Sequence, residues 1–93
     1  MSMTILKSDR FQKEYKEFQE KINKINDTKA KAEVTFLLNQ LVAEVRAIDA
    51  GHAEMFNGSK LPSTLSDHRS GLTSIRKKLI SKLSECEHAG LMS

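Results

Sequence analysis

The chain has no tryptophan, one proline, one cysteine and one tyrosine in its 93 residues. Each scarcity removes a class of structure. A lone cysteine, Cys86, cannot close an internal disulfide, so the sequence does not describe a disulfide-stapled scaffold and needs no oxidising compartment. One proline and four glycines leave few helix breakers, which tips the balance from turn-rich folds toward long helices. No unbroken apolar run exceeds Phe36-Leu37-Leu38, far below the roughly 20 residues that a bilayer-spanning helix needs. Residues 1–7 carry neither the apolar stretch nor the small-residue cleavage pattern of a secretory signal. These absences set the expectation of a soluble cytoplasmic protein with no membrane contact.

What the chain does have is a seam. Phe11, Tyr15, Phe18, Ile22 and Ile25 recur in steps of four and three. The stepping returns at Val34, Leu38, Leu41, Val45 and Ile48, and again at Leu65, His68, Leu72, Ile75 and Leu79. Helices packed side by side need this spacing, because residues three and four apart share a face. With 39% apolar and 29% charged residues, the composition is that of a folded helical domain rather than a disordered chain. The expected fold is all-α: one domain over residues 1–93, built as a small three-helix bundle or helical hairpin. Self-association is one way to complete its modest core.

The expected helices run from about 9 to 26, 28 to 50 and 63 to 88. Ser8 is a good N-cap, and Asp9 suits the first turn. Asn26-Asp27-Thr28 favours a turn, with Asp27 or Thr28 capping the second helix; one unbroken helix from Ser8 to Ala50 is the alternative. Gly51 is read as a C-cap, and His52 to Pro62 as a connecting loop whose Met55, Phe56 and Leu61 fold back as a lid or form a binding surface. Gly71 lies inside the third helix at a cost of about 1 kcal/mol against alanine, with a kink or a second N-terminus at Ser70 as the alternative. Gly90 ends it and leaves Leu91-Met92-Ser93 as a frayed tail.

The chemistry-bearing residues do not assemble into a catalytic set. Glu85-Cys86-Glu87-His88 lacks the second ligand pair of a zinc site, and Cys86 continues the apolar stripe of Leu79 and Leu83. His68 lies on a seam with no nucleophile set against it, which fits a half-buried histidine bonded to a neighbour. Gly58-Ser59-Lys60 lacks the first glycine and the strand of a phosphate loop. The expectation is no enzyme: no catalytic residues, metal, cofactor or small-molecule substrate.

Two features suggest partners. The second helix is apolar on both sides, with Phe36, Ala43 and Ala47 opposite the main stripe. That second face is either further core or a contact with another chain. Phe36, Ala43, Ala47, Met55 and Phe56 are the candidate surface for a protein partner or a second copy. The rival is a basic cluster in the last third of the chain, where residues 58–93 hold six basic and three acidic side chains within a net charge of +3. Arg69, Arg76, Lys77, Lys78 and Lys82 are its candidate nucleic-acid contacts. They do not form one stripe on a helix, and the segment has no aromatic residue for base stacking.

Asn26-Asp27-Thr28, Leu37-Leu38, Asp67-His68-Arg69-Ser70 and Arg76-Lys77-Lys78-Leu79 together resemble pieces of the small-subunit ribosomal protein family that binds a three-way rRNA junction. The resemblance implies RNA contact through Asp67 and Ser70. Lys29 stands where that family has glycine, the loop before Asp67 is longer, and the basic cluster follows Ser70 too soon. Phe56-Asn57-Gly58 resembles the Trp-x-Gly turn of small secreted helical hairpins, without the tryptophan. Neither resemblance amounts to membership. The functional expectation is a non-enzymatic interaction module, an adaptor, regulator or inhibitor that docks through a helical face.

Overall fold

The computed structural model describes the backbone of residues 4–56 and 65–92, and side-chain surroundings for 4–51 and 67–92. Its elements are α1 (Asp9–Asn23), α2 (Thr28–Phe56) and α3 (Leu65–His88). The chain is an all-α three-helix bundle. The central helix is α2, which packs closely along α3 and more lightly against α1. Its 29 residues span about 44 Å at 1.5 Å per residue, and the molecule is accordingly long, 51 × 23 × 16 Å. The accessible surface is 6618 Å², against roughly 5,400 Å² for a compact monomer of this mass. Elongation therefore leaves helix faces uncovered.

The seam residues meet where the spacing predicts. Val34, Leu41, Val45 and Leu79 are fully buried, with Leu38, Ile48, Leu83 and Cys86 close to it. Phe11, Phe18 and Ile22 of α1 and Ile25 just beyond it close the core, and Phe11 stacks on half-buried Tyr15 with ring centroids 6.1 Å apart. Cys86 is a core cysteine, free and buried.

Local chemistry sets the ends of the elements. Ser8 Oγ accepts the Phe11 amide at 3.2 Å, the N-cap of α1. Asp27 Oδ2 accepts the Ala30 amide at 2.8 Å and caps α2, so the chain breaks at Asn26–Asp27 and the single long helix is excluded. Two expectations are corrected and one alternative is excluded. First, Gly51 does not end α2, which continues to Phe56. Gly51 is buried inside the helix, one heptad beyond Glu44 on the flank turned to α3. A mid-helix glycine costs only about 1 kcal/mol against alanine, too little by itself to stop a helix of this length. His52 to Phe56 are therefore helical; any lid or connection beyond them, with Leu61 and Pro62, lies outside the described residues. Second, α3 runs unbroken through Gly71, whose missing side chain leaves room for the Glu44 carboxylate 3.4 Å from an ideal Cβ.

Third, the C-terminal tail is not frayed. Gly90, at φ 73°, takes the left-handed turn that glycine allows. The Leu91 amide then donates to Cys86 O at 2.9 Å and the Gly90 amide to Glu87 O at 3.2 Å. The reversed chain lays Met92 beside Ile25 as an antiparallel bridge, and the Asn26 amide donates to Leu91 O at 2.6 Å. That pairing also explains why α1 stops at Asn23: Ile25 and Asn26 are extended to meet the tail. No atom lies within 4 Å of a Cβ added at Gly90, so the cost of Gly90→Ala is conformational alone. We expect about 1 kcal/mol, read as a fall of about 4–8 °C in the thermal midpoint.

The N-terminal segment is clamped at the other end of the bundle. Both Asp49 carboxylate oxygens accept main-chain amides, Ile5 at 2.8 Å and Leu6 at 3.0 Å. Ile5 and Leu6 then pack on the core. Asp49→Ala should cost about 1–2 kcal/mol and speed hydrogen exchange at those two amides, with the amides of α3 unaffected.

Candidate interaction surface

The two candidate surfaces separate once the helices are in register. On α2 the core stripe centres on Val34, Leu41 and Val45. Glu33, Leu37 and Glu44 flank it toward α3, while Lys31 and Thr35 face α1. Directly opposite the core lie Ala32, Phe36, Ala43, Ala47 and Ala50. Phe36 is 62% exposed, the most exposed large apolar side chain among the described residues. Ala43 is exposed and Ala47 half-buried. Among the described residues, this face is left exposed at Ala32, Phe36, Ala43 and Ala50 and is not part of the core. Met55 and Phe56 continue α2 in its last turn, and their side chains lie outside the described residues.

The α2–α3 interface is laced by polar contacts that draw on the acids of α2. His68 Nδ1 lies 2.7 Å from Glu44 Oε2, the neighbour expected for a half-buried histidine. Lys82 Nζ sits 3.0 Å from Glu33 and 3.6 Å from Glu85. The Lys82 ammonium is held above the usual lysine value of 10.5, first by its hydrogen bond to Glu33, then by the attraction of Glu33 and Glu85. A raised basic value supports the fold below the lysine range and is lost as pH climbs through it. Between α1 and α3, Arg76 Nε stands 2.9 Å from Glu14 Oε1. Both atoms are sealed from solvent, and their alignment makes the contact an ion pair rather than a directed hydrogen bond.

This accounting divides the basic cluster. Arg76 and Lys82 hold helices together. Arg69 is exposed and also has an interaction partner. Lys77 and Lys78 are exposed, with no ion pair among the described residues. With Leu37, Ser81, Lys82 and Glu85 they line an open groove between α2 and α3. Asp67 and Ser70 are exposed on the first turns of α3.

Sequence reasoning missed three participants. Arg46 and Lys29 belong to the outer face of α2, and the 3–4 stepping of Ala32, Phe36, Asn39, Ala43, Arg46 and Ala50 was the signal for it. Ile80, 53% exposed, borders a notch of about 150 Å³ with Phe18, Leu83 and Met92 between α1 and α3. Nothing in its sequence neighbourhood separated it from the core.

Among the described residues no group of three or more histidine, cysteine or carboxylate side chains could hold a metal ion, and no helix is long and apolar enough to cross a membrane. Fold and surface together define a small three-helix bundle whose central helix keeps an apolar outer face. Comparison with protein-family models, curated proteins and solved structures gives no match.

Proposed function

We propose that the chain is a non-enzymatic interaction module, a small adaptor, regulator or inhibitor that docks a protein partner on the outer face of α2. The observation that carries this reading is Phe36. It is a large aromatic side chain, 62% exposed, on a helix face that also carries Ala32, Ala43 and Ala50, with Asn39 and Gln40 between Phe36 and Ala43. Exposed apolar residues are common singly, but the small side chains of Ala32, Ala43 and Ala50 on the same face let another helix approach closely on either side of the ring. A cytoplasmic location belongs to the same proposal and agrees with a lone, free cysteine.

The test is capture from host lysate by the tagged chain and by its Phe36→Asp variant, each in nuclease-treated and untreated halves. A stoichiometric protein that survives nuclease and is lost with Phe36→Asp supports docking at this face. Partners that vanish on nuclease treatment, and that Lys77→Glu/Lys78→Glu releases, would replace this reading with nucleic-acid binding. Capture that ignores Phe36→Asp would remove the face from consideration.

A further inference from the structure

We infer that the occupant of the α2 outer face is an acidic amphipathic helix. The inference rests on the proposed docking role of that face and adds the chemistry of the partner. Three observations carry it.

α2 has four acids, of which Glu54 has its side chain outside the described residues; the first observation is where the other three go. Glu33 faces Lys82, Glu44 faces His68, and Asp49 binds the amides of Ile5 and Leu6. All three are engaged on the flanks of α2, within the molecule's own contacts rather than on its outer face. The second is what remains outside. Between residues 29 and 50 the outer face has no acid; its charged members are Lys29 and Arg46, both exposed and without an acidic partner among the described residues. The third is the adjoining groove beside Leu37. Its rim carries Lys77 and Lys78, again without ion pairs among the described residues. An apolar strip with Phe36 in it is thus framed by uncompensated cations.

The spacing says what would fit. Lys29 and Arg46 lie about 25 Å apart along the axis at 1.5 Å per residue, so a partner helix of about 18 residues spans them. Large apolar side chains would sit over Ala43 and Ala47, a small one over Phe36, and carboxylates at the ends and along one edge would meet the cations. Such complementarity raises association rate and fixes register. A second copy of the chain fits worse, because it brings the same cations to the contact. A phosphate backbone would satisfy the charge and leave Phe36 unused.

The experiment pans a displayed library of a monomeric helical scaffold, randomised along one face over about 18 residues, against the full chain. Circular dichroism first checks that each variant keeps the helix content and melting of the parent. Enriched sequences should combine a large-apolar stripe with flanking Glu or Asp. Their affinity should fall at least tenfold for Phe36→Asp and at least tenfold for Lys29→Glu/Arg46→Glu. Panning the charge-reversed chain should enrich lysine at the same flanks. Phe36-dependent binders with neutral or basic flanks would overturn the acidic partner while leaving the docking face standing. Binders indifferent to Phe36→Asp would overturn both. Glutamate-rich binders with no apolar stripe would point to a polyanion surface and overturn the inference. So would a dimer of the chain alone, seen by sedimentation and dissolved by Phe36→Asp, because the face would then belong to a second copy.

Discussion

Leu41→Ala is expected to lower the thermal midpoint by more than about 12 °C and to leave much of the chain unfolded in mild urea. Leu41 has no exposed surface and sits at the centre of α2 among Val34, Val45 and Leu79, which are equally enclosed. Truncating a buried leucine costs about 3–5 kcal/mol, because the transfer energy of the lost atoms is joined by the cavity they leave. A domain of this length has roughly 5–14 kcal/mol in total, so one methyl-rich side chain is a large share of it. At about 4–8 °C per kcal/mol for a domain this small, the effect is easy to resolve by circular dichroism. A shift under about 5 °C would show that α2 is not the keystone its burial implies.

Phe36→Asp, five positions earlier on the same helix, is expected to do the opposite on both readouts. Its side chain already faces water, so stability should change by no more than about 0.5 kcal/mol. Partner affinity should fall about 30-fold or more, the roughly 2 kcal/mol that marks an aromatic anchor truncated at the centre of an interface. A carboxylate at this point also repels the acidic helix inferred above. Melting and partner titration on the same two variants separate core from surface within one helix. If Phe36→Asp melts as early as Leu41→Ala, the outer face is part of the fold and the docking proposal fails.

Most of the fold was legible because period and caps are local signals. The four-three stepping placed Phe11, Val34, Leu41 and Leu79 in the core, and Ser8 and Asp27 marked helix starts that hydrogen bonds then fill. What was not legible depends on contacts distant in sequence. Gly51 has the composition of a stop, but the helix runs through it to Phe56. Leu91 and Met92 have the composition of a loose end, but Ile25 and Asn26 stand ready to pair with them. Asp49 gave no local sign of its partners, which lie 44 and 43 positions away. The candidate surface was half legible for the same reason: periodicity showed that α2 has a second apolar face, while only packing could decide whether a helix covered it. The five cations of α3 were readable as a cluster, but Glu14 and Glu33, which engage Arg76 and Lys82, arrive from other helices.

The strap of Met92 on Ile25 and the clamp of Asp49 on Ile5 and Leu6 lie at opposite ends of α1. The segments at Ile5–Leu6 and Leu91–Met92 thus act as stoppers for different ends of the bundle. A ribosome emitting this chain has made all three helices before it releases the residues that close the α1–α2 corner. Until then Ile25 and Asn26 lack their pairing partners, and the nascent bundle presents a sticky corner to its surroundings. Fusions carry the same consequence: a bulky tag joined directly after Ser93 pulls on one stopper and a tag joined before Thr4 on the other, so a long flexible spacer belongs on whichever end carries the label.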